Sequence, residues 1–320
     1  MKKACYTFLV LLLVLFLFFR PIQAVEASTT GLLLWFHTII PTLLPFIILS
    51  NIIIRLDAMS YLTWFLSPVL TRLLGISKNG CYAVITGFLC GYPMGSKVTA
   101  DLVMEQQISA VEGQYLLSFC NNVSPMFIIS FIVTVTLKDP SLIIPFLVIL
   151  YAAPLFTAFI LNPFYRRRMR NALRPDQKKK ASRLQINFKI IDTSIMNGFE
   201  TVTKLGGYII LFAIIAGMVS SLPLSPAWIK SLFTGIFEIT NGIQAIALTT
   251  LPVPVQCLMI LCVTSFGGLS SIAQTESMIK DSGLSILRYI GAKILSTGIT
   301  LLLAALFLLP QMGAVLPGWH

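Results

Sequence analysis

Apolar residues along this chain fall into blocks too long and continuous for a water-soluble fold, and these blocks predict its elements. Seven read as single runs, the second bent by Pro41 and Pro45: Phe8 to Phe19, Gly31 to Ile54, Tyr115 to Thr136, Ser141 to Leu161, Leu205 to Leu222, Val255 to Ala273 and Leu284 to Leu309. A helix needs about 20 apolar residues to cross the hydrocarbon of a bilayer, so each is read as a span. The first is short and follows Met1-Lys2-Lys3; it reads as an uncleaved anchor or a signal-like segment. Two further blocks, Cys81 to Val103 and Trp228 to Leu251, are long enough to span but are broken in the middle. Pro93, Gly95, Ser96 and Lys97 interrupt the first; Glu238, Thr240, Asn241 and Gly242 interrupt the second. Each half holds about 10 residues, or ~15 Å of helix, which reaches only the midplane. The pattern predicts two re-entrant helical hairpins, over 81–104 and 228–251. Between Arg55 and Lys78, charges alternate with Trp64, Phe65 and Leu66, as in a helix lying at the interface.

Composition agrees and removes the alternatives. Hydrophobic residues make up 56% of the 320 and charged residues only 11%, against about 25% charged in soluble domains. Net charge is +11, but ten of the 23 Lys and Arg lie between Arg166 and Lys189. A basic cluster between apolar blocks marks a cytoplasmic loop rather than a nucleic-acid face, and no nucleic-acid partner is expected. With the N-terminus cytoplasmic, Arg55, Arg72, Lys78, the basic loop, Lys280 and Arg288 all fall inside, and His320 outside. This agreement requires the first hairpin to dip from the cytoplasm and the second from outside. The predicted organisation is an anchor over 1–24, a first repeat over 25–162, a basic loop over 163–194 and a second repeat over 195–320. The fold class is thus an all-α polytopic membrane protein with discontinuous spans in the cell membrane, its partners the lipid bilayer and possible further copies of itself.

The six cysteines form no CxxC pair, and with His37 and His320 the only histidines, neither a disulfide framework nor a metal site is expected. No HExxH, P-loop, G-x-S-x-G or GxGxxG motif occurs, so neither enzyme activity nor a cofactor is expected. An internal repeat does occur. Thr86-Gly87-Phe88-Leu89 in the first hairpin corresponds to Thr234-Gly235-Ile236-Phe237 in the second. Ser118-Phe119-Cys120-Asn121-Asn122-Val123-Ser124 then corresponds to Ser265-Phe266-Gly267-Gly268-Leu269-Ser270-Ser271. In both halves a hairpin precedes a span interrupted by small and polar residues, and the halves face opposite ways. Inverted repeats with broken helices mark secondary transporters, whose substrates bind at the midplane where the breaks meet. Unpaired backbone groups are tolerable there only around a polar cavity, and half-helix N-termini favour anions.

The candidate site follows from these breaks. Gly91, Tyr92, Pro93, Gly95 and Ser96 suit a substrate-lining turn, whereas Gly87 suits close helix packing. Lys97 either snorkels or meets a substrate carboxylate or phosphate. Glu238, beside Thr240 and Asn241, either ligates a coupling cation, carries a proton or pairs with Lys97; the coupling ion, proton or sodium, is open. Asn121, Asn122 and Ser124, mid-span, either bond between helices or line the site, as do Ser270, Ser271 and Gln274. Lys293 and Arg288 are read as snorkelling from the last span, and His37 as a packing residue.

Gly91-Tyr92-Pro93-Met94-Gly95-Ser96-Lys97-Val98-Thr99-Ala100 resembles the YlbJ (SpoVV) family of sporulation integral membrane proteins. So do Pro41-Thr42-Leu43-Leu44-Pro45-Phe46, the stretch Glu112 to Ile129 and Ser265 to Ile272. The resemblance implies a nucleoside-recognition Gate domain and a plan similar to concentrative nucleoside transporters, with two hairpins and two broken helices around the substrate. It further implies a role in endospore formation, in the mother-cell-derived membrane around the forespore, moving a small anion such as dipicolinate. A nucleoside-type carrier is the neighbouring alternative, although the acidic string of nucleoside carriers is replaced here by Gly-Tyr-Pro-Met-Gly. From the residues alone, a non-transporting scaffold recruiting partners through the basic loop also stays open.

Overall fold

A computed structural model describes residues 2–56, 63–171, 188–222 and 226–308. Every regular element among them is helical. In order, these are α1 (Lys2–Phe19), α2 (Pro21–Leu34), a π-helical turn (Trp35–Ile39), α3 (Ile40–Arg55) and α4 (Ser67–Leu74). There follow α5 (Lys78–Cys90), α6 (Met94–Met104), α7 (Ala110–Leu117), a π-helix (Phe127–Leu137), a 3-10 turn (Pro140–Leu142) and α8 (Ile143–Asn171). The second half holds α9 (Phe188–Ser220), α10 (Ala227–Phe237), α11 (Ile239–Ala247), α12 (Val253–Phe266), α13 (Gly268–Ile279), α14 (Ile286–Leu303) and a last π-turn (Ala304–Leu308). Four stretches are long and apolar enough to cross a membrane: Pro140–Met169, Phe188–Ser220, Val253–Ile279, which runs through a break at Gly267, and Ile286–Leu308.

The remaining predicted spans depart from straight single helices for local reasons. Pro21 opens α2, and the chain turns by 111° there. The predicted span Gly31 to Ile54 is the latter part of one helical stretch over 21–55. Likewise α9 begins at Phe188 rather than Leu205, and α8 runs on past Leu161. Hydropathy marks where apolar side chains are, whereas helices continue through polar residues such as Asp192 and Asn197. The boundaries read at 24, 162 and 194 consequently fall inside helices. The block from Tyr115 is split into α7 and the π-helix by non-helical residues 118–124. Of the segment read as interfacial, residues 57–62 lie outside the described residues; the rest holds the short α4, followed by left-handed Gly75 and preceded by exposed Trp64 and Phe65. Most of the basic loop, 172–187, lies outside the described residues.

Corresponding helices of the two halves pack antiparallel. Along 21–55 and α9, Ala27 meets Gly217 and Gly31 meets Ala213; further along, Trp35 lies on Gly206, and Leu44 and Ile48 cover Gly198. Trp35 Nε1 donates to the Val202 carbonyl (2.8 Å), and Asn197 Nδ2 donates to Asn51 Oδ1 (3.1 Å). In the second pair, Phe146, Ile149 and Leu150 of α8 share a core with Ala304 and Leu308, while Tyr165 and Arg168 at its other end line a cavity with Arg288 of α14.

Both interrupted blocks fold back on themselves. In the first, α5 is capped by Ser77 Oγ on the Gly80 N–H and stops at Gly91, whose φ of +81° is open only to glycine among unstrained residues. Gly87 and Gly95 bring α5 and α6 together, and Asn79 Nδ2 donates to the Gln107 carbonyl at the open end (3.3 Å). In the second, Gly235 and Gly242 bring α10 and α11 together, and the Ser231 hydroxyl donates to the Ala245 carbonyl (3.2 Å). Arms of 9 to 13 residues extend only about 14–20 Å.

The hairpins open at opposite ends of the molecule. The open end of the first is tied to neighbouring elements by Ser77 N–H to Glu112 Oε1 (2.6 Å), Asn162 Nδ2 to the Leu74 carbonyl (2.5 Å) and a reciprocal pair between Gln114 and Ser285. This end gathers Arg72, Lys78, Arg166, Arg167, Arg168, Lys189, Lys280 and Arg288 together with Glu105, Glu112, Asp192 and Asp281. The second hairpin opens toward the end where Leu142, Cys257 and Leu308 share a core. That end carries Arg20, Lys138 and Lys230 with Glu26 and Asp139.

Candidate functional site

Four interruptions meet between the halves: the tip over 91–93, the break over 118–124, the tip at Glu238 and the break at Gly267. Gly91 lies against Ser124, with no room for a Cβ beside the Ser124 backbone. The Cys120 carbonyl wedges between Gly87 and Gly95, so Gly87 is a packing residue as its spacing predicts. Tyr92 crosses to the other half, where its hydroxyl, Ser271 Oγ and Gly267 crowd together. Gly267 has φ +88° and Gly268 φ +73°, and Gly268 in turn sits on the carbonyls of Gly235 and Ile236 in the second hairpin. The Tyr151 hydroxyl pins the arrangement from α8, touching the carbonyls of Phe88 and Val123 (3.0 Å each).

The central charge in this region is one the sequence reading placed elsewhere. Lys293, expected to snorkel, is only 3% exposed. Its ammonium donates to the Tyr92 hydroxyl (2.5 Å), approaches Asn122 Oδ1 (3.5 Å) and lies 5.0 Å from the Tyr92 ring centre. The reason is rotational: the side chain lies on the face of α14 turned to the first hairpin tip, so its stem runs inward. Among the described residues no carboxylate lies within 4 Å of it. A buried amine held only by neutral dipoles is costly to keep charged, so an anion that supplied the missing counter-charge would be bound strongly.

Lys97 is placed differently. Its ammonium meets Asp101 Oδ1 at 2.6 Å, one turn along α6, with both side chains about nine-tenths buried. It therefore pairs with Asp101 and not with Glu238. Breaking a buried pair on one side leaves an uncompensated charge, at about 3–5 kcal/mol, whereas replacing both partners by apolar groups is often nearly neutral. Asp101→Asn is thus expected to lower the melting temperature in detergent strongly, and Lys97→Met/Asp101→Leu to restore most of it. A double variant as unstable as the single one would contradict this.

The other candidates divide into anchors and lining. Asn121, 1% exposed, is fully engaged: its amide donates to Thr275 Oγ1 (2.9 Å) and the Tyr289 hydroxyl (3.1 Å), and its Oδ1 accepts from the Ser96 N–H (3.3 Å). It latches the first break to the second half. Asn122 donates to the Phe119 carbonyl (2.6 Å), leaving its oxygen toward Lys293. Ser96 Oγ donates to the Pro93 carbonyl, and Ser124 Oγ accepts from the Phe127 N–H. Ser271 Oγ donates to the Gly268 carbonyl, while Ser270 Oγ accepts from Gln274. Glu238 is 6% exposed and caps α11, accepting from the N–H groups of Thr240 (3.1 Å) and Asn241 (2.8 Å). Tyr92, Asn122 and Lys293 thus form one cluster; Glu238, Thr240 and Asn241 form a separate cap. His37 is exposed, with its ring edge-on to Phe36, rather than packed in the core.

Sequence reasoning misplaced Lys293 and missed Tyr289, Thr275 and Asp101. Only Asp101 left a signal, its spacing of four from Lys97.

Apolar helices around a buried polar centre define an all-α, multi-pass integral membrane protein. The chain is similar to the sporulation integral membrane protein YlbJ of Bacillus subtilis (strain 168), at 25% identity over 94% of this chain and 80% of that protein. This likeness, nearly end to end, supports the YlbJ family as the one the sequence resembles. No family model matches the chain, and no solved structure does.

Proposed function

We propose that this protein is a secondary carrier of endospore formation that moves a small anion, dipicolinate being the candidate the family resemblance supplies. The observation that carries this reading is Lys293, a buried amine with no carboxylate partner among the described residues, placed where hairpin tips and helix breaks meet. A substrate carboxylate would take the ammonium in place of the Tyr92 hydroxyl. The Tyr92 ring offers an aromatic face to a planar solute, and Asn122 a polar edge. Opposed hairpins of equal plan favour alternating access, each closing one side of a central site. Positive-inside bias then puts the Arg166–Arg168 end in the cytoplasm. Glu238 remains the candidate for a coupling proton or sodium ion.

The test is uptake of labelled dipicolinate by proteoliposomes holding the purified protein. Saturable uptake, inhibited by other aromatic dicarboxylates and not by uridine, is expected. Uptake no greater than that of empty liposomes, or uridine transport instead, would overturn the anion reading.

A further inference from the structure

A second basic site lies away from the breaks, at the end that gathers the arginines. Between the start of α7, the end of α8 and the start of α14 is a cavity of about 240 Å³ lined by Gln114, Tyr165, Arg168, Ser285 and Arg288 together with small residues. Its floor is fixed. The Gln114 side chain donates to the Ser285 carbonyl (3.2 Å) and accepts from the Ser285 N–H (2.6 Å), clamping the first half to the second. Its wall is fixed too, since the Tyr165 ring packs on Tyr115 at 5.4 Å, and the Tyr115 hydroxyl is held by the Ala158 carbonyl and Asn162. Two arginines therefore border a preformed recess that, among the described residues, no acidic side chain lines. Neither makes an ion pair among the described residues.

The surroundings indicate where the ligand comes from. Beside Tyr165 and Arg288 in sequence stand Phe164, 69% exposed, and Leu287, 77% exposed. Apolar side chains so exposed at the ends of membrane-crossing helices face acyl chains. A recess bordered by two exposed arginines, with exposed apolar residues next to them in sequence, fits an amphiphile with a phosphate head. Guanidinium groups bind phosphate oxygens in pairs, and basic pockets between spans on the cytoplasmic side hold anionic headgroups.

We propose that Arg168 and Arg288 form a binding site for the phosphate of an anionic phospholipid, which clamps α8 to α14 at the basic end of the molecule. The site is separate from the Lys293 cluster, and the proposal stands or falls independently of transport. It is tested on the full-length protein in nanodiscs of phosphatidylcholine, with and without phosphatidylglycerol. Phosphatidylglycerol is expected to raise the melting temperature of the parent. Arg168→Gln/Arg288→Gln should lose most of that rise, while Arg166→Gln/Arg167→Gln, equal in charge removed but outside the cavity, should keep it. Comparing each protein with itself in phosphatidylcholine separates lipid binding from any loss of intrinsic stability. Equal loss in both double variants would reduce the effect to general surface charge and overturn the site. So would a full rise produced by inorganic phosphate in phosphatidylcholine discs, which would make the ligand a soluble anion rather than a lipid.

Discussion

Lys293→Met is expected to cut anion uptake about 10- to 100-fold, since a hydrogen bond to a charged group contributes about 1.5–3 kcal/mol and each 1.4 kcal/mol is tenfold. The same variant is expected to melt at the parent temperature or above it. The ammonium carries a desolvation penalty with no carboxylate to offset it, and methionine keeps most of its volume. Loss of flux without loss of stability distinguishes a substrate contact from a structural one. Uptake equal to that of the parent would remove Lys293 from the site. Lys293→Arg keeps the charge but not the compact ammonium geometry, and is expected to fall between the two.

The second large effect is steric. A Cβ at Gly87 would overlap the Cys120 carbonyl, and one at Gly242 would overlap the Gly235 backbone. Neither obstacle is a side chain that can rotate away, so Gly87→Ala must push the 118–124 break off the first hairpin and Gly242→Ala must push the second hairpin open. Overpacking of this kind costs about 1–3 kcal/mol where neighbours can adjust, and more where backbone must move. Both variants should lose much of their folded yield in detergent. Gly291→Ala and Gly298→Ala meet nothing within 4 Å; they should be neutral or slightly stabilising, as helical glycine to alanine usually is. If all four behave alike, the close approach of backbone at the two hairpins is wrong.

What the sequence made legible was what depends on one stretch of chain. The hairpins show because Gly91-Tyr92-Pro93 and Glu238 interrupt apolar blocks whose halves are each too short to span. The break at Gly267-Gly268 shows because two glycines in an apolar helix have few other uses. Helix ends were harder, since α9 runs through Asp192 and Asn197 before its apolar part begins. The site was legible by region and not by charge. Lys97 drew attention because it follows the turn, yet Asp101 one helical turn on neutralises it. Lys293 stands 201 positions from Tyr92, and nothing in an apolar run tells which face a single lysine occupies. Asn121 was rightly singled out as unusual, but its three partners come from α6, α13 and α14, and only the packed fold shows them all satisfied.

The opposed entry of the two hairpins carries the whole account, and single cysteines in a cysteine-less background test it most directly. Lys78 and Glu105 flank the open end of the first hairpin; Trp228 and Thr250, both exposed, flank that of the second. A membrane-impermeant thiol reagent added to one compartment should label cysteines at 78 and 105 together, and those at 228 and 250 only from the other side. Labelling of 78 and 105 from different compartments would make the first hairpin a full crossing and contradict the arrangement on which the central site depends.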